Sequence, residues 1–142
     1  MKKVLAGLFF GVALSAASFV LTRGRAQSDA GYVIERDTEV VRQEGGPHRG
    51  LGRTAGYNFF AKVPGLKLSF RKRVLHPGSS IGYHLQETDE VYYVLSGRGR
   101  MTINGREMPV NPGDAVLTRK GSSHGLVQTG GDDLTIIIAY DK

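Results

Sequence analysis

The sequence predicts an all-β fold, because short runs of β-branched and aromatic residues recur with glycine, proline and asparagine between them. After residue 30 no window shows the sustained periodicity of a helix. The 142 residues are enough for one domain, and the spacing of the runs is typical of a sandwich or a barrel. The predicted strands are residues 57–63, 66–75, 81–86, 90–95, 100–103, 107–110, 115–118, 124–128 and 134–140.

Turn residues separate several of these strands. Asn104 and Gly105 both tolerate the positive φ of a type I′ turn, so residues 100–110 are predicted to form a β-hairpin. The stretch 43–53 is rich in glycine, and we expect a long flexible loop that leads from an N-terminal strand into the barrel. Further turns are predicted at Pro77-Gly78, Pro112-Gly113-Asp114 and Gly130-Gly131-Asp132.

The N-terminal segment is typical of an export signal or a membrane anchor. A short basic start is followed by residues 4–22, which carry no charge and are rich in leucine, phenylalanine, valine and alanine. Small residues precede Ser18 and Gln27, so two cleavage positions fit, and without cleavage the run is long enough to span a bilayer. We therefore expect an exported protein, periplasmic or secreted, with a leader at 1–26, a strand and loop at 27–56 and a barrel at 57–142.

Composition excludes several classes of function. There is no cysteine, so the chain has no disulfide, thiolate metal site or cysteine nucleophile. The formal net charge is +6, but four of the basic residues precede the first acidic residue, Asp29. The remaining charges nearly balance, and we predict no nucleic-acid partner. Arg71-Lys72-Arg73 is interpreted as part of a charged outer or edge strand.

Histidine spacing points to one cluster of polar side chains. His84 and Gln86 share a face of their predicted strand because side chains alternate, and Glu90 begins the next strand after a short turn. His124 begins a later strand. The first three residues stand in the pattern Gly78-x5-His84-x-Gln86-x3-Glu90-x6-Gly97.

These patterns resemble the two motifs of the cupins, G-x5-H-x-H-x3,4-E-x6-G and G-x5-P-x-G-x2-H-x3-N. The metal-binding positions of that family fall on His84, Glu90 and His124, whereas its second histidine is Gln86 here. The proline and asparagine of the second motif are replaced by Arg119 and Gln128. The resemblance covers residues 66–140 and implies an antiparallel jelly roll.

Two histidines and one carboxylate form a ligand set that leaves open positions on Fe(II) or Mn(II). We therefore expect one divalent metal ion at His84, Glu90 and His124, with Mn or Fe favoured and Ni or Zn as alternatives. Gln86 adds a weak fourth oxygen ligand or stays outside the metal sphere and hydrogen-bonds water or substrate. The alternative is a set of ordinary polar residues on a barrel wall.

Three neighbouring residues are candidates for catalytic roles. Tyr92 shares the face of Glu90, although a strand tyrosine is often a core residue. Gln128 shares the face of His124 and could orient a substrate or merely sit at the barrel mouth. His48 lies in the glycine-rich stretch, where it is either a lid residue or simply solvated.

The resemblance implies a small oxygen-bearing, anionic ligand or substrate at the metal. Dioxygenase, decarboxylase and isomerase reactions all occur in similar proteins, so the reaction is left open. The alternative is a non-catalytic cupin that binds or senses a sugar or carboxylate. Similar proteins also pair through their sheets, and the apolar outer face of Val91, Tyr93 and Leu95 favours a homodimer.

Overall fold

The computed structural model describes residues 31–142. The leader expected at residues 1–26 lies outside the described residues, so its role as signal or anchor stays a prediction. Within the described part of the chain, the structure contains no helix with the length and apolar character needed to cross a membrane.

Strands account for most of the described chain, and the predicted all-β fold is confirmed. A single helical turn, α1 (Asp37–Val40), and a 3₁₀ turn (Pro47–Arg49) are the helical elements of residues 31–142. The strands are β1 (Val41–Gly45), β2 (Arg53–Phe59), β3 (Leu68–Leu75), β4 (Ser80–Leu85), β5 (Glu90–Ser96), β6 (Arg98–Ile103), β7 (Arg106–Val110), β8 (Ala115–Thr118), β9 (Ser123–Thr129) and β10 (Leu134–Asp141).

The strands form two antiparallel sheets. The larger sheet has the order β1-β2-β3-β10-β5-β8, and the smaller has the order β4-β9-β6-β7. Consecutive strands often lie in different sheets, since β3 is followed by β4 and β5 by β6. This alternation gives the antiparallel jelly roll that the sequence predicts.

The hairpin predicted around Asn104 and Gly105 is confirmed. Ile103 pairs with Arg106, and the two residues between them have φ values of 47° and 77°. Both values lie in the left-handed region that a type I′ turn requires.

An N-terminal strand precedes the barrel as expected, but the segment between the strands is shorter than the predicted loop at residues 43–53. Residues 41–45 form β1, which pairs with β2 from Val41 opposite Tyr57 to Gly45 opposite Arg53. This pairing provides hydrogen-bond partners for the backbone N–H and C=O groups of the segment. The polar sequence of the segment does not itself indicate a strand. Beyond β1, Leu51 accepts a hydrogen bond from the Ser80 backbone at 3.0 Å, so the rest of the stretch is fixed as well.

The strand predicted at residues 57–63 is also displaced. Strand β2 begins at Arg53 and ends at Phe59, inside the predicted range. The next residue, Phe60, has a φ of 58°, which interrupts an extended chain. Its backbone N–H donates to a Glu35 carboxylate oxygen at 2.6 Å.

The hydrophobic core lies between the sheets and receives side chains from both. The six-stranded sheet contributes Leu75, Val94 and Ile136, and the four-stranded sheet contributes Met101 and Leu126. All are buried, as the alternation of side chains along each strand requires. Ile81 and Ile138 belong to this core and also line a cavity beside it, so the core forms part of the floor of that cavity.

Candidate metal centre

Three strands bring His84, Glu90 and His124 together. His84 on β4 lies directly opposite His124 on β9, and Glu90 is the first residue of β5. One donor atom from each residue lies within 4.8 Å of the others. His124 is fully buried and Glu90 nearly so, whereas His84 is half-buried.

A backbone contact sets the orientation of His84. Its Nδ1 lies 2.8 Å from the carbonyl oxygen of Gly82. A carbonyl can only accept, so Nδ1 carries the proton and Nε2 keeps its lone pair. Histidines that bind metals are commonly held in this way, with the second ring nitrogen donating to a carbonyl or carboxylate.

The buried pair of Glu90 and His124 lacks full hydrogen bonding. His124 Nε2 lies 3.2 Å from Glu90 Oε2 and 2.8 Å from the Tyr92 hydroxyl. Even so, Glu90 Oε2 and His124 Nδ1 have no hydrogen-bond partner within the described chain. A buried carboxylate oxygen without a donor is costly, and a bound cation would neutralise it. The donor set and this orphaned oxygen both fit a divalent metal.

Tyr92 contacts the cluster directly. Its hydroxyl bonds to His124 Nε2, and its ring packs edge-on against the His124 ring with centroids 5.3 Å apart. Burial, followed by the charge of Glu90, raises the pKa of the Tyr92 phenol well above its usual range. Tyr92 is therefore a neutral hydrogen-bonding group at neutral pH.

Gln86 follows β4 and lines the same cavity. Its backbone N–H donates to Ser122 at 2.8 Å, and its carbonyl accepts from Gly121 at 2.9 Å. These bonds fix the residue at the wall of the site, and its side chain is nearly buried. Ligation by its amide oxygen stays a prediction.

Among the residues singled out from the sequence, Gln128 does not line the cavity. Its amide oxygen accepts from the Gly78 backbone N–H at 3.1 Å. Its amide nitrogen donates to the carbonyl oxygens of Gly130 at 3.1 Å and Asp132 at 2.6 Å. These bonds join two turns, so the structure gives Gln128 a structural place in the fold.

His48 is brought to the site, although it belongs to the stretch expected to be flexible. Its ring lies parallel to the His84 ring, with centroids 3.5 Å apart and an interplanar angle of 2°. Partial burial, followed by the neighbouring His84, lowers the pKa of His48. His48 is exposed, as the solvated alternative expects, yet its ring also stacks on that of His84.

A cavity of about 540 Å³ is lined by His84 and Glu90, whereas the fully buried His124 is not among its lining residues. Its charged wall residues are three basic side chains and three acidic ones, Arg71, Arg73, Lys142, Glu87, Glu90 and Asp141. The interpretation of Arg71-Lys72-Arg73 as an outer or edge strand is wrong, because β3 lies between β2 and β10. Alternation along β3 directs both arginines to the cavity, and no local sequence pattern indicates which face of β3 is inside.

The two cavity arginines differ in their partners. Arg73 is buried, donates to Thr54 Oγ1 at 2.8 Å and pairs with Glu44 Oε1 at 3.0 Å. Arg71 lies over the Tyr140 ring at 5.1 Å and donates from Nε to Ser69 at 3.2 Å. No carboxylate of the described chain forms an ion pair with Arg71, so its charge is available to a ligand.

The sequence from residue 72 to residue 140 matches the family model of the Cupin domain. The two-sheet barrel and the placement of His84, Glu90 and His124 agree with that match. The chain belongs to the cupin superfamily. The three side chains that could hold a metal, His84, Glu90 and His124, thus lie together on the expected fold.

Two curated relatives are similar in sequence to this cupin. This cupin is 41% identical over 69 residues to an oxalate-binding protein of Thermotoga maritima, covering 48% of this chain and 57% of that protein. It is 26% identical over 92 residues to a 5-nitrosalicylic acid 1,2-dioxygenase of a Bradyrhizobium species, covering 65% of this chain and 42% of the enzyme. The match thus spans about half the length of these curated relatives.

A solved structure also resembles this cupin. The crystal structure of a predicted oxalate decarboxylase from Thermotoga maritima superposes with a TM-score of 0.71 at 29% identity. The superposition covers 77% of this chain and 98% of that protein. Together the relatives and the cluster fit a cupin that takes a small ligand at its centre.

Proposed function

We propose that this cupin holds one divalent metal ion at His84, Glu90 and His124 and binds a small carboxylate beside it. The observation that carries the proposal is the two-histidine, one-carboxylate cluster, of which His84 and Glu90 line a cavity that also holds Arg71. The ligand set favours Mn or Fe, with Ni or Zn as alternatives. A bound ion would act as a Lewis acid that polarises a ligand oxygen.

The carboxylate assignment is supported by Arg71, whose guanidinium forms no ion pair within the described residues. Arg71 and Lys142 line the cavity, and Arg71 has no carboxylate partner within residues 31–142. A guanidinium binds a carboxylate through paired N–H groups, so Arg71 suits the far end of a short dicarboxylate. The oxalate-binding relative supports oxalate as the first ligand to test.

Turnover of the bound carboxylate is a second candidate function. Tyr92 is a neutral phenol in contact with His124, and it could donate a proton close to a bound ligand. The predicted oxalate decarboxylase and the dioxygenase among the relatives support this candidate. Measuring oxalate loss by the metal-loaded protein, in air and under argon, separates binding from turnover and tests a requirement for oxygen.

The metal assignment predicts that a His84→Ala, His124→Ala double variant loses its metal. Elemental analysis of the purified protein should give one ion per wild-type chain and none in the variant, because both nitrogen donors are removed. His76→Ala is the matched control, since His76 pairs with Asp133 at 2.9 Å and does not line the cavity. Wild-type protein that takes up no Mn, Fe, Ni or Zn would refute the metal site.

The ligand assignment predicts that Arg71→Gln weakens oxalate binding about tenfold or more without changing metal content. The expected loss is that of one charge-assisted contact, on the order of 1.5–3 kcal/mol. Isothermal titration of the metal-loaded protein with oxalate measures it. Arg106→Gln removes an exposed arginine of the hairpin and should bind oxalate like the wild type. Equal affinities of wild type and Arg71→Gln would contradict the assignment.

We also propose that the protein is exported, on the basis of the basic start and the uncharged run at residues 4–22. N-terminal sequencing of the mature protein from the producing cells tests this. A new N-terminus at Ser18 or Gln27 would support cleavage, and a retained leader with the protein in the membrane fraction would indicate an anchor. Full-length protein in the cytosolic fraction would contradict export.

A further inference from the structure

Residues 46–52 form a strap that is docked tightly on β4. The Leu51 backbone N–H donates to Ser80 Oγ at 2.8 Å, and the Ser80 N–H donates to the Leu51 carbonyl at 3.0 Å. Glycines allow this approach. A Cβ at Gly50 would meet the Ser80 carbonyl oxygen at 2.0 Å, and one at Gly82 would meet the His48 carbonyl oxygen at 2.0 Å. The two backbones therefore leave no room for a side chain at these contacts.

The strap holds His48 in a backbone conformation that L-residues seldom adopt. His48 has φ 53° and ψ 40°, and Arg49 follows with a φ of 62°. Two consecutive left-handed residues with side chains are strained, and such strain persists where the surrounding contacts impose it. Here the contacts between the strap and β4 impose the strain. As a result, the imidazole of His48 lies on the imidazole of His84.

The stack completes the orientation of His84. The bond from His84 Nδ1 to Gly82 O fixes one atom of the ring, but the ring could still tilt about that contact. His48 lies face-to-face with the ring at 3.5 Å and removes that freedom. Face-to-face imidazoles do not converge their nitrogens on one point, and His48 lies outside the group of close donor atoms. This geometry is that of a side chain that supports a metal-binding histidine. It is not the geometry of a further metal-binding side chain.

We propose that His48 is a positioning residue, which holds the His84 ring through its face so that Nε2 points to the metal. The inference rests on the proposed metal site. Half-buried His84 is the least enclosed of the three donors, and the strap supplies the wall that it lacks. Supporting contacts of this kind commonly change metal affinity by about 10–100-fold.

The test is titration of the full-length protein with Co(II), followed by the visible absorption of the bound ion. His48→Ala should weaken Co(II) binding about tenfold and change the absorption bands, because the His84 ring is released. His48→Phe should stay within about threefold of wild type, since it restores a flat ring without a nitrogen. A phenylalanine is accommodated in this conformation elsewhere in the fold, as Phe60 has a φ of 58°.

A second pair of variants tests the strap without touching either ring. Gly50→Ala forces a clash with Ser80 and should weaken Co(II) binding as His48→Ala does. Gly45→Ala is the matched control, because a Cβ there meets nothing within 4 Å and should leave affinity unchanged. Circular dichroism before titration verifies that each variant is folded.

The outcomes separate this inference from the metal site itself. Wild-type protein that fails to bind Co(II) would overturn the proposed function and the role of His48 with it. Wild-type binding that is unchanged in His48→Ala would overturn the positioning role alone. Equal loss in His48→Phe and His48→Ala would show that the nitrogen of His48 matters, which also overturns the positioning role.

Discussion

His124 is a fully buried side chain that contacts two other polar groups of the site. One ring nitrogen faces a carboxylate and a phenol, and the other has no partner in the described chain. Burying polar atoms in this way lowers stability unless something pairs with them. The same arrangement holds the donor atoms ready for a cation, so the cost in stability and the capacity to bind metal have one origin.

The raised pKa of Tyr92 predicts that the wild-type protein loses stability at alkaline pH. The pKa of Tyr92 is higher in the folded protein than its value near 10.0 in the unfolded chain. The free energy of unfolding that the neutral phenol contributes is therefore fully present below pH 10 and is lost as pH rises further. Urea unfolding at pH 8 and pH 11 should show that wild type loses more free energy of unfolding than Tyr92→Phe. Tyr83→Phe, at an exposed position, should lose as much as wild type. Equal losses in wild type and Tyr92→Phe would contradict the buried, neutral phenol.

At the scale of the element, the sequence predicted the features that depend only on residues close together in the chain. The hairpin around Asn104 and Gly105 follows from two neighbouring residues, and the grouping of His84 with Glu90 follows from alternation and one short turn. The sequence predicted an N-terminal strand but not the bounds of β1, because Val41-Arg42-Gln43-Glu44-Gly45 has almost no apolar alternation and is ordered by pairing with β2. The inward face of β3 and the stack of His48 likewise depend on distant partners.

The hairpin gives a prediction at this scale. Gly105→Ala should destabilise the protein by about 1 kcal/mol, because alanine must adopt a φ of 77°. Gly131→Ala is the control, as a Cβ there meets nothing within 4 Å and its φ lies outside the left-handed region. Urea denaturation midpoints measure both variants. A Gly105→Ala protein as stable as the control would argue against the type I′ turn.

At the scale of the whole molecule, the outer face of the larger sheet is unusually apolar. Val91 and Leu117 lie opposite each other on β5 and β8, and Tyr93 and Leu95 continue the patch. All four side chains are exposed, between 42% and 53%. Contiguous exposed apolar surface of this kind is typical of protein contacts, and β8 is the edge of the sheet.

We therefore expect a homodimer that forms through this patch. Leu117→Lys should shift the protein to a monomer, because it buries an unpaired charge in the contact. Light scattering after gel filtration measures the mass of each species. Lys120→Leu, which alters charge near the end of β8 without entering the patch, should leave the mass unchanged. Monomeric wild-type protein at tens of micromolar would contradict the expectation.

Strand β10 has a consequence for how the protein is made. It lies between β3 and β5, and within residues 31–142 no other pairing joins the β1-β2-β3 part of the larger sheet to the β5-β8 part. Until the ribosome has synthesised residues 134–141, the nascent polypeptide holds two unconnected pieces of that sheet. Folding of such non-local pairings is slow. The larger sheet can therefore be completed only after translation has passed residue 141.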